Sequence, residues 1–323
     1  MFDTLIAKLK AEKRKLVFTE GTDPRILEAA SRLHKDNILA PVLVGNPDEV
    51  KAAAKECGRD IEGVEIIDPA HFADFDAMVD KMVELRKGKM DADACRQALA
   101  KGNYFGTMLV QMGYADGLLG GATYSTADTV RPALQLIKTK PGNKIVSSCF
   151  ILCREQDGKQ EKYAMGDCAI NIAPSEDDLV EITVEIANTA RLFGIDPQVA
   201  LLSYGTLGSA KGDSVDLVHA AAERLKGMNL DFPVDGELQF DAAFAPEVAK
   251  VKASSSQVAG HANTFVFPNI DAGNIGYKLA QRMGGFEAYG PILQGLNAPI
   301  NDLSRGCNAE EVYKMAIITA AQK

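Results

Sequence analysis

The stretch Lys15–Leu33, KLVFTEGTDPRILEAASRL, sets the fold class. Lys15–Thr19 is a short β-rich run, and Glu20-Gly21-Thr22 breaks it. Asp23 then stands where a helix N-cap belongs, with Pro24 at the first helical position and Ile26 to Leu33 supplying the helix. Strand, turn, capped helix is the unit of an α/β protein. The chain downstream repeats it: strands are expected at Pro41–Val44, Val64–Ile67 and Ala115–Leu119, and an amphipathic helix over 75–87. Strands alternating with helices predict a parallel sheet covered on both faces. Upstream, Phe2, Leu5, Ile6 and Leu9 recur at helical spacing among charges, which reads as a docking helix rather than a signal peptide.

From about residue 143 the pattern changes. Lys144–Cys153 and Lys162–Ile170 look like strands joined through Asp157-Gly158, a hairpin and so an antiparallel element. Ser175 with Asp178 three residues on forms a capping box before a long helix. Further strands are expected at 199–204, 234–240 and 264–267, and a last helix over 310–322 returns to the first lobe. The expected domains are 1–142 plus 296–323, and 143–295.

The chain has 323 residues and a net charge of -9, from 35 Lys plus Arg against 44 Asp plus Glu. An acidic surface of this kind repels phosphate backbones, so no nucleic-acid partner is expected, and an anionic substrate would need a local basic pocket. Six cysteines form no CxxC and never cluster with the four histidines, which points to buried thiols in a reducing compartment and to no metal site. No apolar run reaches the ~18 residues of a membrane span. A cytoplasmic protein with no membrane contact is the expectation.

Three Gly- or Ser-rich segments entering helices are candidate anion sites. In Gly120–Pro132, Ser125 and Thr126 offer hydroxyls and Arg131 a bidentate fork; the same residues also fit an ordinary capped turn. Ser203–Gly212 fails the order of a phosphate-binding P-loop. In Asn301–Glu311, Ser304 and Arg305 precede a glycine, and Asn308 and Glu311 have capping-box spacing, so Glu311 reads either as a cap or as a general base. Asp235 and Glu237 read as loop caps or a carboxylate pair.

Through these segments the chain closely resembles the phosphate acetyltransferase (phosphotransacetylase) family in its short form. The resemblance rests on YADGLLGG at 114–121, STADTVRPAL at 125–134, LSYGTLGSAK at 202–211, DGELQFDA at 235–242, FPNIDAGNIG at 267–276 and YGPILQGLNAPINDLSRGC at 289–307. It implies a two-lobed α/β fold like that of isocitrate and isopropylmalate dehydrogenases, with the active site in the cleft between lobes, and a homodimer. The implied substrates are acetyl-CoA or CoA and phosphate or acetyl phosphate, with no further cofactor. By the same resemblance, transfer is direct, without an acyl-enzyme. Arg305 would bind phosphate, Ser304 would hydrogen-bond the acyl group, and Glu311, where the family usually has Asp, would deprotonate the CoA thiol, with Glu310 as the alternative. Arg86 and Arg131 match arginines associated with CoA. A butyryl-preferring relative is the nearest competing reading.

Overall fold

The computed structural model describes residues 2–323, with strands β1 (Lys15–Phe18), β2 (Ala40–Val44), β3 (Glu65–Ile67), β4 (Gly117–Gly120), β5 (Ser147–Gln156), β6 (Lys159–Gly166), β7 (Val199–Leu202), β8 (Val234–Leu238), β9 (Thr264–Val266), β10 (Glu287–Gln294) and β11 (Ile300–Asp302). Two compact units divide the chain. One runs to Gly142 and resumes over Leu296–Lys323; the other is Asn143–Gly295.

The first unit holds a five-stranded sheet in the order β11-β4-β1-β2-β3, parallel at every pairing. Leu16, Val17 and Phe18 are fully buried, as a central strand with both faces covered requires. The helix Pro24–Lys35 starts as its sequence dictates: Asp23 Oδ1 accepts from the Arg25 amide at 2.9 Å and Pro24 occupies the first turn. It packs against the helix Ala309–Ala321, which also covers Phe2–Glu12. The last 28 residues thus complete the sheet that the first 120 begin, because β11 pairs only with β4.

The second unit carries a six-stranded mixed sheet, β10-β5-β6-β9-β7-β8. β5 and β6 form the expected hairpin, tighter than the sequence suggests: Gln156 pairs with Lys159, and Asp157 (φ 53°) and Gly158 (φ 71°) alone make the turn. The capping box at Ser175 and Asp178 opens the helix Glu176–Leu192. Among the described residues no helix is long and apolar enough to cross a membrane, and all six cysteines are free, five of them buried.

Candidate active site

In the first unit β11, β4 and β1 are parallel neighbours, so their carboxyl ends open on one edge of the sheet. Ligands of open α/β sheets bind at such an edge. The loops leaving it follow Phe18, Gly120 and Asp302, and they approach closest at two glycines. A Cβ on Gly120 would collide with the Tyr124 hydroxyl and Thr19 Oγ1, and one on Gly121 (φ +100°) with the Asp302 carboxylate.

Two carboxylates organise this edge from inside. Glu20 Oε1 accepts from the amides of Gly121 (3.1 Å) and Thr123 (3.0 Å) and from the Thr123 hydroxyl, while Oε2 accepts from Thr19 Oγ1 at 2.9 Å. The Gly120–Pro132 segment, expected to hold a substrate anion, therefore already cradles one that belongs to the chain. Asp302 is 2% exposed; its oxygens accept from the Thr126 hydroxyl at 2.6 Å and the Thr129 hydroxyl at 2.5 Å. Burial pushes both carboxyls above their ordinary values, against the pull of these hydrogen bonds. The nearby Tyr124 phenol is pushed up too, by burial first and the Glu20 charge second.

A stability prediction follows for Glu20. Its carboxyl holds its proton more tightly when folded, so its contribution is fully present below the ordinary carboxylate range and falls as pH rises through the folded value. Glu20→Gln removes that decline. Relative to the variant, the wild-type protein should lose stability as pH rises from 4 to 7. Urea midpoints of both proteins at both pH values read it; a constant difference would refute it.

The seven residues singled out from the sequence all fall in the first unit. Ser125 Oγ donates to Asp128 at 2.7 Å and Thr126 Oγ1 to Asp302. A hydroxyl has one proton, so as placed here neither has one left for an anion. Ser304 differs: its Oγ accepts from the Gly306 amide at 3.2 Å and keeps its proton. The exposed Arg305 guanidinium donates to nothing among the described residues, although its carbonyl is firmly held. Glu311 takes the capping-box place, Oε2 accepting from the Asn308 amide at 2.9 Å, and its other oxygen is uncommitted. Glu310 instead pairs with Arg32 at 2.7 Å.

Arg131 lines a pocket of about 310 Å³ together with Lys101, Asn103, Tyr104 and Asp128. Lys101 also lines an adjoining pocket of about 440 Å³ with Glu20, Thr123 and Tyr124. Neither cation makes a hydrogen bond or ion pair among the described residues, and their charges help hold the Asp128 carboxyl below its ordinary value, behind the Ser125 hydroxyl. Arg86 stands apart, in the last turn of the helix Phe75–Arg86, with a buried Nε that lacks a hydrogen-bond partner. No hydrogen bond joins it to the three loops.

In the second unit, Asp235 and Glu237 do not act as a pair. Asp235 meets Lys226 at 2.7 Å, while Glu237 accepts from the Gly208 amide at 2.6 Å and faces His219 Nδ1 at 2.9 Å. Glu237 tethers the loop Ser203–Gly212, while Asp235 holds the last residue of the helix Asp213–Lys226. No group of three His, Cys, Asp or Glu among the described residues could hold a metal ion.

Sequence reasoning gave no role to Glu20, Arg25, Lys101 or Asp302. A usable signal existed for one of them: Glu20, an acidic residue just past the buried apolar run Leu16–Phe18.

Comparison with known proteins agrees with this architecture. A family model described as phosphate acetyl/butaryl transferase matches residues 1–320. A phosphate acetyltransferase of Bacillus subtilis (strain 168) is 54% identical over 322 residues, 100% of this chain and 98% of its own. The crystal structure of a phosphotransacetylase from Streptococcus pyogenes superposes with a TM-score of 0.96 at 53% identity, covering 99% of this chain and 97% of that one. A structure described as a 4-hydroxythreonine-4-phosphate dehydrogenase from Salmonella typhimurium shares the fold alone, with a TM-score of 0.52 at 13% identity over 96% of this chain and 100% of that one. The dehydrogenase-like α/β fold is thus common to all of these.

Proposed function

The chain belongs to the phosphate acetyl/butaryl transferase family and is an acyltransferase interconverting acetyl-CoA plus phosphate with acetyl phosphate plus CoA; we propose that it does so by direct transfer, using Ser304, Arg305 and Glu311. The observation that carries the proposal is which donors remain free. At a sheet edge where most polar groups are committed to one another, Ser304 keeps its proton, Arg305 all its N–H groups and Glu311 one oxygen, within eight residues of sequence.

In the direction of acetyl-CoA synthesis, Glu311 takes the thiol proton of CoA, and the sulfur attacks the carbonyl carbon of acetyl phosphate. An ordinary thiol has a pKa near 8.5, so a positioned base enlarges the small reactive fraction at neutral pH. The tetrahedral oxyanion is met by the Ser304 hydroxyl. The C–O bond to phosphate then breaks, the proton taken up by Glu311 passes on through solvent to the leaving phosphate, and the resulting dianion stays with the Arg305 fork. In reverse, a phosphate oxygen attacks the thioester and Glu311 returns the proton to the departing thiolate. Arg131 and Lys101, unpaired around one pocket, suit the phosphates of CoA, and Arg86 carries the same proposed role by resemblance. Ser125 and Thr126 then serve by fixing the loop, through Asp128 and Asp302, rather than by touching phosphate. The proposal includes a cytoplasmic homodimer, on the resemblance alone.

Thiol release from acetyl-CoA and from butyryl-CoA, with and without phosphate, tests the reaction. Phosphate-dependent release, faster with acetyl-CoA, is expected; a butyryl preference would overturn the acyl assignment. Direct transfer also predicts no exchange of labelled CoA into acetyl-CoA when phosphate is omitted. Exchange at a rate near turnover would mean an acyl-enzyme.

A further inference from the structure

We infer that Arg25 is a positioning residue for the acyl transfer: it holds the backbone of the Ser304–Cys307 loop so that the Arg305 side chain is presented to phosphate. The inference rests on the reading of Arg305 given above. A guanidinium has five N–H donors, and all five of Arg25 are assigned. Nε and one Nη2 proton grip Asp23, at 3.0 and 2.8 Å. The other Nη2 proton goes to the Ala122 carbonyl at 2.8 Å. The two Nη1 protons reach the carbonyls of Arg305 at 2.9 Å and Cys307 at 3.1 Å. Arg25 therefore has nothing left to offer a substrate.

What it does instead follows from where its partners lie. Arg25 sits in the first turn of the helix after β1, Ala122 lies just past β4, and Arg305 and Cys307 lie just past β11. One planar group ties together the loops of three neighbouring strands. Asp23 fixes the plane of the fork and also caps the helix that carries it. The two arginines thus divide the work: Arg25 has every donor committed to protein, Arg305 none. Arg25 cannot be exchanged for lysine without loss, because an ammonium is a point charge with three donors and cannot span a carboxylate and three carbonyls in one plane.

The test uses Arg25→Lys, Arg25→Gln and Asp23→Ser in the full chain. Asp23→Ser keeps a cap for the helix and removes only the carboxylate that orients the fork. Misplacing a reacting group by about 1 Å can cost ~10²-fold, so Arg25→Gln should lose about that much in kcat/KM for phosphate, and Arg25→Lys and Asp23→Ser about tenfold. The KM for acetyl-CoA should stay within about twofold, since Arg131 and Lys101 belong to another part of the edge. A residue that merely supports the fold would shift both KM values and the melting temperature together.

A double-mutant cycle with Arg305→Ala separates this inference from the reading beneath it. If Arg25 acts through Arg305, Arg25→Lys should add less than a factor of two in the Arg305→Ala background. Fully multiplying effects would overturn the inference while leaving Arg305 in place; an Arg305→Ala enzyme of normal activity would overturn the reading itself. Normal phosphate kinetics in both Arg25→Lys and Asp23→Ser would also overturn the inference. If Arg25→Gln fails to fold, those two variants decide.

Discussion

Arg305→Ala is expected to lose about 10²- to 10³-fold in kcat/KM for phosphate and for acetyl phosphate, the range found when one transition-state donor is removed. This side chain differs from its neighbours in having no partner among the described residues. Most polar side chains on the loops around it donate to or accept from protein: Glu20, Ser125, Thr126 and Asp302 all do. Arg305 is exposed and unpaired, while its own carbonyl is held by Arg25. Truncating it removes no interaction of the folded protein, so stability should stay within about 0.5 kcal/mol. A lysine there would keep charge but lose the planar match to a tetrahedral dianion, so Arg305→Lys should recover only part of the rate. Steady-state rates in both directions, beside melting curves, check this. A large drop in melting temperature with the rate would make the residue structural, and an unchanged rate would remove it from the site.

Much of the frame could be read from short stretches because local rules decide them. Asp23-Pro24 fixes where a helix begins, and Asp157-Gly158 fixes a two-residue turn; both hold in the structure. The strand after Lys15 ends at Phe18, one residue early, because Thr19 turns its hydroxyl to Glu20 and Tyr124 instead of extending the run. β10 and β11 left no comparable signal. β11 is three residues long and owes its existence to β4, some 180 positions earlier, and β10 to β5. Pairings at such separation are set by tertiary packing.

The site divides in the same way. Ser304, Arg305 and Glu311 stand close together in sequence, so residue types and spacing single them out as candidates, and the resemblance supplies the roles proposed for them. Glu20, Arg25 and Asp302 matter because three strand ends lie side by side, a property of sheet order that no single segment carries. Ser125 and Thr126 show a further limit: residue type says that a hydroxyl is present, not where its one proton points. Residue type and spacing likewise do not separate Glu310 from Glu311. One oxygen of each is uncommitted, but Oε2 of Glu310 is in an ion pair with Arg32 whereas Oε2 of Glu311 accepts only the Asn308 amide, which favours Glu311 as the proposed base.

Glu311→Gln should therefore lower kcat by about 10²- to 10⁴-fold, the usual contribution of a positioned general base, while Glu311→Asp stays within about tenfold of wild type. The two substitutions separate chemistry from capping. Glutamine serves the reciprocal place in a capping box as well as glutamate does, so the start of the helix Ala309–Ala321 survives Glu311→Gln. Aspartate serves it too: Asp178 does so on Ser175 elsewhere in this chain. Both variants should melt within a few degrees of wild type, and only the one without a carboxylate should be slow. The pH profile supplies an independent reading. Without its base the enzyme depends on thiolate already present, so the Glu311→Gln rate of acetyl-CoA synthesis should climb about tenfold or more from pH 7 to pH 9, following the ordinary thiol pKa near 8.5. The wild-type rate should be flatter over that range. Equal rates for Glu311→Gln and Glu311→Asp, or parallel pH profiles for wild type and Glu311→Gln, would leave Glu311 as a helix cap and place the base elsewhere.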